Sequence, residues 1–453
     1  MTRDDEANRL SARATRYARL GVNAGALAAR VGVNRLRGGG READAKALAS
    51  ALGSMKGPLM KVAQMLTTIP DAAPPEFAAE LSKLQSQAPP MGASFVRRRM
   101  QAELGANWRE RFADFDLKPA AAASLGQVHR AVSLGGERLA CKLQYPDMAS
   151  AVETDLSNLD LLFSLHRRAS AAIDTREMAR EIRERVREEL DYQREAKVAR
   201  LYRVMLADRP FVRVPRVDES LSTRRLLTMQ WLDGEPQIAF ESASQEARDA
   251  IAVGLFEAWW RPFLRYGVIH GDPHLGNYTV VASPEDGERR VDGVNLFDYG
   301  CVRIFPPRFV HGVVELYRAL EANDRQRITH AFEMWGFTRL TPGVTEAMTV
   351  WARFMCGPIL DDRVRTAADG VKPSEYGRRE IGQVMRALKA EGGGLPVPRE
   401  FVFLERATIG LGSAFLRLGA RLNFHRMYED AIADFDEDVV ARRQAGALEA
   451  VGL

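Results

Sequence analysis

Two carboxylates and one amide carry the chemistry this sequence offers. Asp272 and Asn277 lie five residues apart in Val268-Ile269-His270-Gly271-Asp272-Pro273-His274-Leu275-Gly276-Asn277, and Asp298 follows twenty-one residues after Asn277. Gly271 and Pro273 make the first stretch read as a loop. Asp298 ends the apolar run Val294-Asn295-Leu296-Phe297, the pattern of a strand end. One carboxylate can take or orient a proton while an amide oxygen and a second carboxylate hold Mg²⁺ on a nucleotide's phosphates. That is phosphoryl-transfer chemistry. It requires three further parts: a lysine on the phosphates, an acid to hold that lysine, and a segment covering the phosphates.

The chain offers a candidate for each. Lys142 ends Leu139-Ala140-Cys141-Lys142 on an expected strand, from which an ammonium can reach the α- and β-phosphates as a point charge. Glu189, Asp191 and Glu195 fall in an expected long, charge-rich helix. Glu189 and Glu195 are six apart and do not share a helical face closely, so one can pair with Lys142 while another faces elsewhere. Taken singly, a strand lysine and a helix glutamate are ordinary surface residues; their order around the two carboxylates gives them weight. The covering segment would contain Ala121, Ala122, Ala123 and Ser124 within Ala120-Ala121-Ala122-Ala123-Ser124-Leu125-Gly126-Gln127-Val128-His129. Alanines lack glycine's freedom at positive φ, so this segment does not drape over a triphosphate as a glycine loop does. Lys61 and Gln64 share a helical face, which by spacing alone reads as a solvated stripe. Cys141 and Cys301 read as small buried apolar side chains.

The elements that must position these residues follow from the pattern of the chain. Its 453 residues, 46% hydrophobic and 27% charged, suit a large-cored globular protein. A net charge of +4 gives no basis for a nucleic-acid partner. The three cysteines include no Cys-x-x-Cys pair, which favours a reducing compartment. No apolar run is long enough to span a membrane, so a cytoplasmic location is expected, peripheral on the inner face of a membrane if the N-terminus binds lipid. From Arg9 to Arg37 there are seven arginines and no acid. Such a stretch suits an anionic membrane surface, a targeting segment or a solvated basic helix. Expected units are a basic segment over 1–40, a helical extension over 41–110, an N-lobe over 111–232 and a C-lobe over 233–453. Ser94 is expected to cap a helix over Phe95–Leu104, Ala120–Val132 to form one strand and Arg138–Tyr145 the next, Thr175–Leu206 one long helix, and Gln245–Tyr266 another. Strand, turn, strand, helices, strands, breaker, helix, loop and Asp298 is the order of a two-lobed, α+β, protein-kinase-like fold with a mainly helical C-lobe.

Together these residues resemble the UbiB family of atypical kinases, also called the AarF or ADCK family. The resemblance covers nearly all of the chain from Gly53 to Tyr428 and rests on Lys61-x-x-Gln64, the alanine-rich segment ending at His129, Lys142-Leu143-Gln144-Tyr145-Pro146, Glu189-Leu190-Asp191, His270 to Asn277 and Asp298-Tyr299-Gly300. It implies ATP or ADP and Mg²⁺ as cofactors. It also implies that Lys142 contacts the phosphates and pairs with Glu195, that Asp272 is the catalytic-loop aspartate, and that Asn277 and Asp298 bind Mg²⁺. The hinge Met229, Gln230, Trp231 and Leu232 would contact adenine through its backbone. Lys61 and Gln64 would belong to the Lys-x-Gly-Gln extension lying over the usual protein-substrate site, with Glu189 and Asp191 as its Glu-x-Asp partner. Family members are implicated in ubiquinone biosynthesis near membranes, which implies a quinone-like lipid or quinone-biosynthesis proteins as partners. Ala63 replaces the motif glycine and Tyr299 the usual phenylalanine.

Three other readings share some of these residues. A phosphotransferase of the aminoglycoside or choline kinase type also carries His-Gly-Asp-x-His-x-x-Asn, with Asp272 activating a hydroxyl acceptor; the alanine-rich segment and Lys61 to Gln64 argue against it. His270, Asp272 and His274 suggest a zinc hydrolase, but helical His-x-x-x-His needs a continuous helix, which Gly271 and Pro273 oppose. A pseudokinase scaffold would keep the nucleotide without turnover.

Overall fold

The computed structural model describes residues 91–453 apart from 124, 147, 149–151, 153–172, 175–183, 185–186, 286–287, 370–377 and 393–394. The described residues divide into two compact units, the first falling within 91–166, 179–193 and 218–230 and the second within 167–178, 194–217 and 231–453.

The first unit contains helix α1 (Ala93–Leu104) and a four-stranded antiparallel sheet ordered β1 (Phe112–Ala123), β2 (Gly126–Ser133), β3 (Arg138–Gln144) and β4 (Leu226–Gln230). The helix starts one residue before Ser94, because the Gly92 carbonyl accepts from Phe95 N–H at 2.9 Å and Val96 N–H at 3.2 Å. The strand expected over Ala120–Val132 is two strands. Ala123 pairs with Gly126 and the chain reverses between them, at a point where a Cβ on Gly126 would overlap the Leu143 carbonyl on β3. Side chains alternate along β3, so Leu139, Cys141 and Leu143 share one face and Lys142 and Gln144 the other. The first face packs with Trp108, Phe115 and Met100 as the unit's apolar core.

Helix α2 (Tyr192–Met205) is shorter than the helix expected over Thr175–Leu206. The chain turns at residues 189–191 because its polar backbone groups are claimed elsewhere. Gln144 Nε2 donates to the Leu190 carbonyl at 3.1 Å, and Tyr192 N–H donates to the Arg224 carbonyl at 3.2 Å. Asp191 Oδ1 then accepts from Gln193 N–H at 3.1 Å and caps the new helix.

In the second unit, helix α3 spans Gln245–Tyr266, as expected. Ser244 Oγ accepts from Ala247 N–H at its start, and Gly267 at φ 64° stops it in the left-handed region that glycine adopts without penalty. The chain then enters β5 (Val268–His270), followed by a hairpin of β6 (Tyr278–Glu285) and β7 (Glu288–Leu296). Strand β8 (Val302–Ile304) pairs antiparallel with β5, placing Val302 opposite His270. The rest is mainly helical: α4 (Pro307–Glu321), α5 (Arg325–Met334), α6 (Pro342–Cys356), α7 (Arg378–Ala390), α8 (Arg399–Leu418), α9 (Phe424–Ile432) and α10 (Glu437–Glu449).

Candidate active site

Strand β5 delivers His270 into the interior of the second unit, where no part of it is exposed. Its Nδ1 accepts from Asp272 N–H at 3.2 Å, which leaves Nε2–H to donate to the Phe297 carbonyl at 3.1 Å. Burial lowers its proton affinity, against the opposing pull of the Asp272 and Asp298 carboxylates. The imidazole is therefore held neutral in one tautomer, with the rings of Trp259, Tyr299 and Tyr202 at 5.3, 6.1 and 6.3 Å. One side chain thus ties the backbone of Asp272 to the residue preceding Asp298. Both ring nitrogens are engaged with backbone, and His274 Nδ1 accepts from Gly276 N–H, so a zinc site on this histidine pair is not what the loop builds.

Asn277 closes the same web. Its Nδ2 donates to the Asp272 carbonyl at 2.9 Å, its N–H donates to the His274 carbonyl at 2.9 Å, and its own carbonyl accepts from Phe297 N–H at 2.7 Å. With the amide nitrogen turned to Asp272, the amide oxygen is the atom of Asn277 that could serve a metal ion. Asp298 sits at φ 57°, a left-handed conformation that costs a non-glycine residue about 1 kcal/mol. Tyr299 is buried and donates its hydroxyl to the Leu296 carbonyl at 2.7 Å, so the extra oxygen relative to phenylalanine is satisfied locally. Glu195, in the first turn of α2, is 2% exposed and is among the charges that keep the Tyr299 phenol protonated, after burial and Tyr202.

The structure adds a residue that the sequence did not mark. Arg406 Nη2 lies 3.2 Å from Asp272 Oδ1, with both side chains largely covered. Arg406 projects from α8, which braces three consecutive loop residues. A Cβ on Gly271 would touch the Phe403 ring at 3.4 Å, Asp272 pairs with Arg406, and Gly410 packs against Pro273. Positions 403, 406 and 410 are three and four apart, so they form one helical stripe. An arginine 134 residues downstream of its partner has no local signature in the sequence.

In the first unit, Lys142 is 7% exposed and its Nζ lies 5.2 Å from the centroid of the Tyr192 ring. Gln144, on the same face of β3, holds Leu190 through the hydrogen bond above. That single strand face thus fixes the Glu189–Asp191 turn, and Glu189 is buried there. Neither Glu189 nor Asp191 stands on the helix expected for them. Met229 and Gln230 pair with Ala140 and Leu139 at the end of β4. Trp231 and Leu232 begin the second unit's next segment, where Trp231 Nε1 donates to Asp233 Oδ1 at 3.0 Å and Asn295 Nδ2 donates to the Asp233 carbonyl at 2.9 Å. Ala121 and Ala122 are exposed on the last turnward residues of β1, beside Ala123. Ser124, Lys61, Gln64, the segment expected over 1–40 and residues 41–90 of the extension expected over 41–110 lie outside the described residues.

Comparison with known proteins places the chain in a family. The ABC1 atypical kinase-like domain matches residues 83–332, more than half of the chain. The atypical kinase coq-8 of Caenorhabditis elegans is 31% identical over 298 residues, covering 65% of this chain and 39% of the relative. COQ8B of Rattus norvegicus is 29% identical over 86% of this chain and 72% of the relative, and COQ8 of Saccharomyces cerevisiae is 26% identical over 84% and 74%. All three carry the description "mitochondrial". Among solved structures, Rv3197 of Mycobacterium tuberculosis in complex with erythromycin aligns with a TM-score of 0.58 and 27% identity, covering 86% of this chain and 95% of that one. The sheet-bearing first unit and the helical C-terminal region form a protein-kinase-like, α+β fold, and the chain belongs to the ABC1/UbiB family of atypical kinases.

Proposed function

We propose that the chain binds Mg-ATP and Mg-ADP and splits or transfers the γ-phosphoryl group in support of ubiquinone or other isoprenoid quinone synthesis, or of membrane lipid homeostasis. The observation that carries this reading is the web around neutral His270, which joins Asp272, Asn277 and the residue before Asp298 through four hydrogen bonds. The donor set fits Mg²⁺. That ion takes oxygen ligands, keeps several waters and binds through one or two carboxylates plus substrate phosphates. Asp298 and the Asn277 amide oxygen are such a pair. Among the described residues no cluster of three or more His, Cys, Asp or Glu would cage a metal alone. When bound, Mg²⁺ would neutralise charge on the phosphates.

The remaining roles fall to side chains in fixed settings. Lys142, positioned over Tyr192, would meet the α- and β-phosphates, with Glu195 as its acidic partner. The backbone of Met229 to Leu232 would take adenine, and Ala121 to Ser124 would cover the phosphates. Asp272, held by Arg406, would orient the acceptor oxygen. An arginine on this carboxylate suits water or a small hydroxyl better than a protein acceptor that must displace it. Lys61 and Gln64, with Glu189 and Asp191, would guard that position. The quinone link rests on family membership. A peripheral membrane location rests on the arginine run near the N-terminus, and no described helix is long and apolar enough to cross a membrane.

The enzyme assay is ATP loss with and without cardiolipin-containing liposomes, beside Asp298→Asn. Slow turnover stimulated by anionic lipid is expected; no loss above the Asp298→Asn background overturns an enzymatic role. Quinone content in a deletion strain tests the pathway, and normal content removes it.

A further inference from the structure

The apolar face of the first unit's sheet carries two polar residues that the proposed chemistry does not use. Gln127 and His129 stand opposite Leu143 and Cys141, so they project to the core side of the sheet, away from the face bearing Lys142. They are 1% and 0% exposed. Two buried polar side chains in an apolar core cost free energy unless they are hydrogen-bonded, and here each amide and ring heteroatom has a partner. Met91 N–H donates to Gln127 Oε1 at 2.8 Å, Gln127 Nε2 lies 2.9 Å from His129 Nε2, and His129 Nδ1 lies 2.8 Å from the Asp116 carbonyl.

The direction of every hydrogen in this series is fixed by its ends. Met91 N–H can only donate, so Gln127 presents its oxygen there and its NH₂ to the imidazole. His129 Nε2 must then accept and Nδ1–H must donate to Asp116. Burial lowers the proton affinity of this imidazole, the nearby Asp116 opposing, and the ring stacks 5.4 Å from Phe115.

The far end of the series is an irregularity in the strand that carries the alanines. Phe115 pairs with Ala131 and Pro119 with His129, so residues 116, 117 and 118 of β1 face Arg130 alone on β2. Extra residues bend a strand and re-aim the residues beyond them. Beyond this bend lie Ala120–Ala123 and the reversal to Gly126. Proline at 119 has no N–H for the ladder, and Asp116 Oδ1 folds back to accept from Lys118 N–H at 2.8 Å. His129 anchors the Asp116 carbonyl inside this bend.

We infer that Gln127 and His129 are positioning residues: a buried hydrogen-bond relay that sets the bend in β1, aims the alanine-rich hairpin, and couples that hairpin to the chain entering at Met91. The consequence for nucleotide affinity rests on the nucleotide reading given above; the coupling within the sheet does not. Because the relay lies on the core side, its variants alter nucleotide binding without removing a nucleotide contact. A displacement of the Met91 backbone is felt at Ala120–Gly126 through three hydrogen bonds.

Amide hydrogen exchange of residues 120–126 in the nucleotide-free protein, together with ADP affinity in Mg²⁺, tests this in Gln127→Leu, His129→Leu and Gln127→Glu. In the leucine variants, loss of a buried hydrogen bond speeds exchange of the hairpin and weakens ADP, each by about tenfold. Gln127→Glu near pH 6.5 is the rescue. With one proton shared between the carboxyl and His129, it still accepts from Met91 and still engages Nε2, so both readouts stay within about threefold of the parent. If Gln127→Leu folds and leaves hairpin exchange unchanged, or if Gln127→Glu behaves like Gln127→Leu, the relay is refuted. A parent protein that binds no ADP sinks the nucleotide reading instead, and hairpin exchange still decides the relay.

Discussion

Glycine at position 410 offers a sharp test of how α8 supports the loop that carries Asp272. Within a helix, Gly→Ala ordinarily stabilises by about 1 kcal/mol, because alanine loses less backbone entropy on folding. At Gly410 a steric term opposes this. An added Cβ would overlap Cγ of Pro273 and lie 3.2 Å from its Cδ and 3.6 Å from its Cβ. A proline ring has no side-chain rotamer to retreat into, so α8 or the loop at Asp272–Pro273 must shift. Overpacking of this kind costs about 1–3 kcal/mol. The net effect of Gly410→Ala is a destabilisation of up to about 2 kcal/mol, with Asp272 displaced relative to Arg406 and turnover reduced. Gly412, on the same helix, has nothing within 4 Å of the position a Cβ would take, so Gly412→Ala should show the ordinary gain of about 1 kcal/mol and unaltered turnover. Denaturant midpoints for the two variants, measured beside ATP turnover, separate the terms. If Gly410→Ala stabilises as much as Gly412→Ala, the contact with Pro273 does not constrain the loop and α8 does not brace it.

Other consequences follow from the same geometry. Arg406→Ala should cost about 1–3 kcal/mol of stability and lower turnover, and Arg406→Lys should restore charge but not full activity, because a guanidinium fork is replaced by a point charge; melting and steady-state rates check both. Tyr192→Leu should weaken ADP binding about fivefold through loss of the ring beneath Lys142, while Tyr192→Phe keeps it, as measured by titration. His129 and His270 both have proton affinities lowered by burial below the ordinary 6.5. As pH falls below about 6.5 the unfolded chain gains protons that the fold refuses, so stability falls with a slope approaching 2.7 kcal/mol per pH unit; His270→Asn should roughly halve it. Desolvation pushes the Glu405 carboxyl from 4.5 to about 7, so its stability penalty grows between those values and persists above them. Glu405→Gln should therefore gain more stability at pH 8 than at pH 5 by denaturation.

The local parts of the site were legible because local chemistry fixes them. Ser244 and Gly267 bound α3 as cap and left-handed stop, and Gly271 and Pro273 keep the following stretch out of a helix. Alternation on β3 puts Lys142 on the face opposite Cys141. What the sequence did not disclose depends on partners distant along the chain. The turn at Glu189–Asp191 exists because Gln144 and the Arg224 carbonyl claim backbone groups that a helix would otherwise use. The reversal at Leu125 reflects the close approach of Leu143 to Gly126, which no propensity at 120–132 reveals. Arg406 acquires its meaning only when α8 folds back onto the loop. Gln127 and His129 read as one more alternating strand until their common burial on the apolar face is seen.

A nucleotide–Mg²⁺ site built on Asp272, Asn277 and Asp298 is the centre of the proposed function. Calorimetric titration of ADP and ATP with Mg²⁺ or with chelator tests it most directly. The expected result is saturable binding that requires Mg²⁺, is abolished by Asp298→Asn and is retained by Gly412→Ala. Absence of binding to the parent protein, or binding indifferent to both Mg²⁺ and Asp298→Asn, would contradict it.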